Sequence, residues 1–123
     1  MRNLIISGLL AASLAGCATL DTAALTTTQV YVAAQAFDAA EVTATNYLNL
    51  PPCGGAATVC RNQVAAAAIV SATRGGYKAR QALVTACAAS VTAAACVSDY
   101  AAVTAAVNGL QSAFTTYSIA KGS

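Results

Sequence analysis

From Val30 to Tyr47, apolar residues recur at spacings of three and four: Val30, Ala33, Phe37, Ala40, Ala44 and Tyr47. That period places them on one helical face. The segment from Asp21 to Thr28 is rich in small polar residues and reads as a tether, so a first helix is expected to begin near Leu25. Pro51-Pro52 ends it, because proline lacks the backbone donor and disfavours helix in the residue before it. A second alanine-rich stretch runs from Arg61 to about Ser90. A third runs from about Ser98, a candidate N-cap, to Ala120, with Gly122 and Ser123 closing it. Its apolar repeat is unbroken through Tyr100, Val103, Val107, Leu110, Phe114 and Tyr117.

Three helices of similar length, on the order of 25 to 30 residues or about 40 Å, joined by short connections predict an up-down-up three-helix bundle over residues 25–123. Gly75-Gly76 interrupts the second stretch. Each glycine costs up to about 1 kcal/mol in a helix interior. The pair is therefore either a site of close packing or a break that would make four shorter helices.

Composition thins the expected core. The chain is 58% apolar over 123 residues, but alanine supplies much of that fraction. An alanine methyl removes little surface from water at roughly 25 cal/mol per Å². A domain so built gains from covalent staples, and its small residues allow helix axes to approach closely.

The first residues have another organisation. Met1-Arg2-Asn3 forms a short positive start, and Leu4 to Leu14 is an apolar run broken only by Ser7, Gly8 and Ser13. This is the pattern of a secretion signal, and about eleven residues are too few for a permanent span, which needs roughly twenty. Leu14-Ala15-Gly16-Cys17 follows. These four residues resemble the lipobox of bacterial lipoproteins: a leucine, two small residues and a cysteine. The resemblance covers the first seventeen residues alone. It implies a signal peptide at 1–16, cleavage between Gly16 and Cys17, a diacylglyceryl thioether on Cys17, and a fatty acyl group such as palmitate on the new amino terminus. Residues 17–24 would then be a lipidated tether. Two or three acyl chains at about 0.8 kcal/mol per buried CH₂ give an effectively permanent anchor. Ala18 is not the aspartate that retains enteric lipoproteins in the inner membrane, so the resemblance favours the outer membrane, facing the periplasm.

With Cys17 committed to lipid, Cys53, Cys60, Cys87 and Cys96 remain, an even number in a chain expected in an oxidising compartment. A straight second helix holds Cys60 and Cys87 about 40 Å apart, whereas a disulfide needs Cα atoms within about 7 Å. Cys53–Cys60 and Cys87–Cys96 are therefore the expected pairs. A break at Gly75-Gly76 would instead favour Cys60–Cys87. No CxxC spacing occurs and histidine is absent, which argues against metal and redox roles for these cysteines.

Chemistry beyond the anchor is sparse. Lacking histidine, the chain lacks the commonest general base. No serine stands in a nucleophile-elbow context, and Gly54-Gly55 lacks the Lys-Ser or Lys-Thr of a phosphate-binding loop. Catalysis, cofactor binding and nucleic-acid binding are not expected at a formal net charge of +2. Folding the second helix back on the first brings Asp38 and Glu41 to the level of Arg74, with Lys78 a turn further on. Arg74, Lys78 and Arg80 are alternatively free to meet lipid headgroups or anionic cell-wall polymers. The expected role is non-enzymatic: a membrane-anchored bundle with an envelope-protein partner, met by the distal Pro51–Cys60 loop. Two alternatives are a small-ligand carrier with a cleft lined by Tyr31, Tyr47, Tyr77 and Tyr117, and a phage-related lipoprotein of superinfection exclusion or lysis. Outer spanins are proline-rich and this chain has two prolines, so that version departs from the pattern.

Overall fold

The computed structural model describes residues 24–119, which form three α-helices in an up-down-up bundle. α1 spans Thr27–Leu48, α2 Gln63–Ala89 and α3 Ala94–Thr116. The signal region, Gly16, Cys17 and the tether up to residue 23 lie outside the described residues. Among the described residues no helix is long and apolar enough to cross a membrane.

Each boundary has a local cause. α1 opens with a capping box. Thr26 Oγ1 accepts from the Gln29 amide at 3.2 Å, and Gln29 Oε1 accepts from the Thr26 amide at 2.9 Å. It ends at Leu48, with the Asn49 amide donating to the Thr45 carbonyl and the Leu50 amide to the Tyr47 carbonyl, three residues before Pro51-Pro52. Asn62 caps α2, its Oδ1 accepting from the Val64 and Ala65 amides at 2.8 and 3.2 Å.

α3 departs from expectation at both ends. Ser98 is not its N-cap: the cap is Ala93, five residues earlier, without a side-chain cap bond. The preceding turn is instead closed by Ser90, whose Oγ accepts from the Thr92 amide at 3.2 Å. Starting early carries Cys96 onto the inner face, where it is fully buried. The helix also stops at Thr116 rather than near Ala120. Ser118 adopts φ 54°, the Ser118 amide donates to Thr115 O, and the Ile119 amide donates to Phe114 O at 2.8 Å. This pattern is a Schellman closure with serine in the left-handed position, and it folds Ile119 back onto the core.

α2 runs unbroken through Gly75-Gly76. Gly76 is a close-packing site: a Cβ built there would lie 2.2 Å from Phe37 Cε2 and 2.8 Å from Ala106 Cβ. Phe37 of α1 thus lies against the α2 backbone, with α3 on the other side. Phe37, Ile69, Leu83, Val103 and Leu110 are fully buried and supply the bulk of the core. Alanines 34, 40, 44, 65, 66 and 113 fill the rest. The largest helix interface is between α2 and α3.

Both expected staples are in place. Cys53 and Cys60 have Cα atoms 4.9 Å apart, and Cys87 and Cys96 4.8 Å apart. Cys53–Cys60 lies within the α1–α2 connection, Cys87–Cys96 joins the last turn of α2 to the first turn of α3, and Cys60–Cys87 pairing is excluded.

Candidate functional site

The Cys53–Cys60 connection stands at the end of the bundle where α1 stops, α2 starts and α3 stops. Its base is firmly tied. The Arg61 amide donates to Pro51 O at 2.9 Å, the Cys53 amide to Arg61 O at 3.2 Å, and the Asn62 amide to the Tyr47 hydroxyl at 2.6 Å. Arg61 Nη1 donates to Leu48 O at 2.5 Å, placing a cation at the carbonyl end of α1. Residues 51–59 beyond that base are all exposed, with Gly54 at φ 109° making the turn. The loop is a fixed platform with an open tip.

Beside it lies a hollow of about 430 Å³, lined by Tyr47, Leu50, Val59, the Cys53–Cys60 disulfide, Tyr117 and Ile119. Of the four tyrosines expected in one cleft, only Tyr47 and Tyr117 meet here. Tyr31 and Tyr77 are 65% and 49% exposed on α1 and α2, so no single tyrosine-lined cleft exists. Tyr47 is buried because its hydroxyl has the Asn62 amide as partner.

The charges pair differently from the expectation. Asp38 binds Arg80 rather than Arg74, in a two-pronged contact of 2.5 Å from Nε to Oδ1 and 2.7 Å from Nη2 to Oδ2. That hydrogen bond raises the Arg80 pKa above its ordinary value, with burial opposing and the Asp38 and Glu41 charges adding to the rise. Arg80 therefore stays charged at any pH compatible with folding. Because both side chains remain partly exposed, the pair is worth at most about 1 kcal/mol.

Arg74 and Lys78 are left over. They border two adjoining hollows on the α1–α2 side, of about 640 and 420 Å³, which share Leu48, Val70, Arg74 and Lys78. Arg61 lines the first and Tyr77 the second, with Glu41 on the rim of the second. Arg61, Leu48 and Val70 join this site without a motif that marks them in the sequence. The signal for Val70 was its seven-residue spacing from Tyr77, which puts both on one flank of α2.

Among the described residues no group of three or more histidine, cysteine, aspartate or glutamate side chains is placed to hold a metal ion. In comparisons with family models, curated proteins and solved structures, nothing matches this chain.

Proposed function

We propose that the chain is an acyl-anchored protein of a bacterial envelope that acts by protein contact and not by catalysis, offering its Cys53–Cys60 end to a partner. The observation that carries this reading is the contrast between a rigid base and an open tip at residues 51–59. A disulfide, two loop-closing backbone bonds and the Tyr47–Asn62 contact hold nine exposed residues in one arrangement. Preorganisation of that kind lowers the ordering cost of association. Val59 and the neighbouring Tyr47–Tyr117 hollow give the platform an apolar centre.

The lipobox-like Leu14–Cys17 supports the anchor. A lipid on Cys17 puts the start of α1 next to the membrane and the stapled platform at the opposite end of the bundle, open to the periplasm for an outer-membrane protein. Partner contact is tested with a photo-crosslinking residue at Ala56, on the exposed tip, against the same residue at Ala101, on the exposed side of α3. One discrete product from position 56 and none from 101 is expected. Equal labelling from both positions would refute the platform. Anchoring is tested separately, by the mass of the amino-terminal peptide and its loss of acyl chains in Cys17→Ser.

A further inference from the structure

The large apolar side chains left exposed on the helices are not spread evenly. Val70, Tyr77 and Val84 follow one another at seven-residue intervals along α2, all exposed. On α1, exposed Tyr31 and Val42 lie seven residues before and four after Asp38, so they share the flank that Asp38 turns toward Arg80. One side of the bundle, the α1–α2 side, thus displays two tyrosines and three valines. Between the helices on that side run the adjoining hollows bordered by Arg74 and Lys78.

Three observations give this furrow a chemistry. Among the described residues Arg74 and Lys78 make no ion pair, while Asp38, a nearby carboxylate, is already neutralised by Arg80. Glu41 on the rim is the opposing charge, and three cations with Arg61 outweigh it. Arg61 Nε and Thr73 Oγ1 are, among the described residues, the buried side-chain polar atoms without a hydrogen-bond partner. Both residues line the furrow, Arg61 in one hollow and Thr73 in the other. Gly75 lines the first hollow, and a Cβ added there would meet nothing within 4 Å. Helix packing therefore gives no reason for that glycine, in contrast to Gly76.

We propose that the α1–α2 side docks on an anionic phospholipid surface, with headgroup phosphates met by Arg74 and Lys78 and the side chains of Val70, Tyr77 and Val84 against the interface. Cations beside exposed tyrosine and aliphatic groups are the combination that an interfacial surface requires. Hollows of this size accept a headgroup, and their openness suits a surface contact better than an enclosed ligand. Docking lays the bundle along the membrane and goes beyond the anchoring reading.

The chain contains no tryptophan, so Tyr77→Trp makes a single reporter on this side and Val97→Trp a matched one on α3, both at half-exposed positions. Each full-length variant is mixed with vesicles of phosphatidylcholine alone or of phosphatidylcholine with phosphatidylglycerol, with lipid chains brominated near the carbonyl. Strong quenching at position 77, little at 97, and dependence on phosphatidylglycerol are expected. Arg74→Gln/Lys78→Gln should return quenching at 77 to the level in phosphatidylcholine, as should high salt. Inorganic phosphate at millimolar levels should leave it unchanged. Equal quenching at 77 and 97, equal quenching in the two vesicles, or indifference to the double substitution would overturn the proposal. Displacement by inorganic phosphate would convict a simple anion site instead. The readout compares two sides of the same bound chain, so its failure is distinct from failure of lipid attachment at Cys17.

Discussion

Gly75 and Gly76 are adjacent, chemically identical and equally helical, yet replacing them by alanine should move stability in opposite directions. At Gly76 the new methyl would sit 2.2 Å from Phe37 Cε2 and 2.8 Å from Phe37 Cζ and Ala106 Cβ. Favourable carbon–carbon contact lies at about 3.5 to 4.0 Å, so the overlap with the ring exceeds an ångström. Phe37 is fully buried and has no free space to turn into, and the Ala106 methyl moves only if α3 moves. Overpacking of this kind costs typically 1 to 3 kcal/mol, against which alanine recovers up to about 1 kcal/mol of helix propensity. An overlap of more than an ångström with a ring that is itself fully buried belongs to the upper part of that range, about 2 to 3 kcal/mol, so the net loss is about 1 to 2 kcal/mol, a fall in Tm of roughly 5 to 15 °C for a domain of this size. At Gly75 nothing lies within 4 Å of the added methyl, so only the propensity gain of up to about 1 kcal/mol remains and Tm should rise by several degrees. Thermal unfolding followed by far-ultraviolet circular dichroism, with disulfides oxidised, measures both shifts. A Gly76→Ala protein melting at or above the parent temperature would refute the close approach of α1, α2 and α3 at this point. A Gly75→Ala protein melting below the parent would refute the open space at Gly75.

Other consequences follow from the caps and staples. Replacing Cys53 and Cys60 together by alanine, or Cys87 and Cys96 together, should cost about 2 to 3 kcal/mol in each case by urea unfolding, since the loops span separations of 7 and 9 residues. Ser118→Gly should stabilise by up to about 1 kcal/mol, because glycine accepts the φ of 54° without the Cβ penalty; a valine there should destabilise, and the pair of melts checks the Schellman closure. Asn62→Ala should cost about 1 kcal/mol as a lost cap, whereas Ser98→Ala should stay within about 0.5 kcal/mol, because Ser98 is exposed inside α3. Equal effects for Asn62 and Ser98 would place the α3 start wrongly.

The parts of this fold legible in the sequence were those carried by periodicity and by punctuation. The α3 repeat from Tyr100 to Tyr117 and the proline stop after α1 depend on one helix at a time, and both hold. The disulfide pairing was legible too, because a straight α2 holds Cys60 and Cys87 too far apart. The start of α3 is hidden in the sequence because Cys96 has two roles, of which the staple is the more conspicuous. Cys96 is also the next apolar position of the repeat, seven residues before Val103, and burying it requires the helix to begin by Ala94. The partner of Asp38 is hidden for a different reason, which bears on the candidate sites. Phe37 against Gly76 shows that the level was right: Asp38 does lie beside the Arg74–Gly76 turn. What the sequence could not convey was azimuth. Arg74 lies on the outer side of α2, while Arg80 lies on the side facing α1. Helical side chains lean toward their own amino terminus, so Arg80 reaches back along α2 to Asp38. That exchange of partners is what leaves Arg74 and Lys78 without acidic neighbours in ion-pair contact. The furrow thus exists because of a side-chain direction, whereas the stapled platform was visible from cysteine spacing alone.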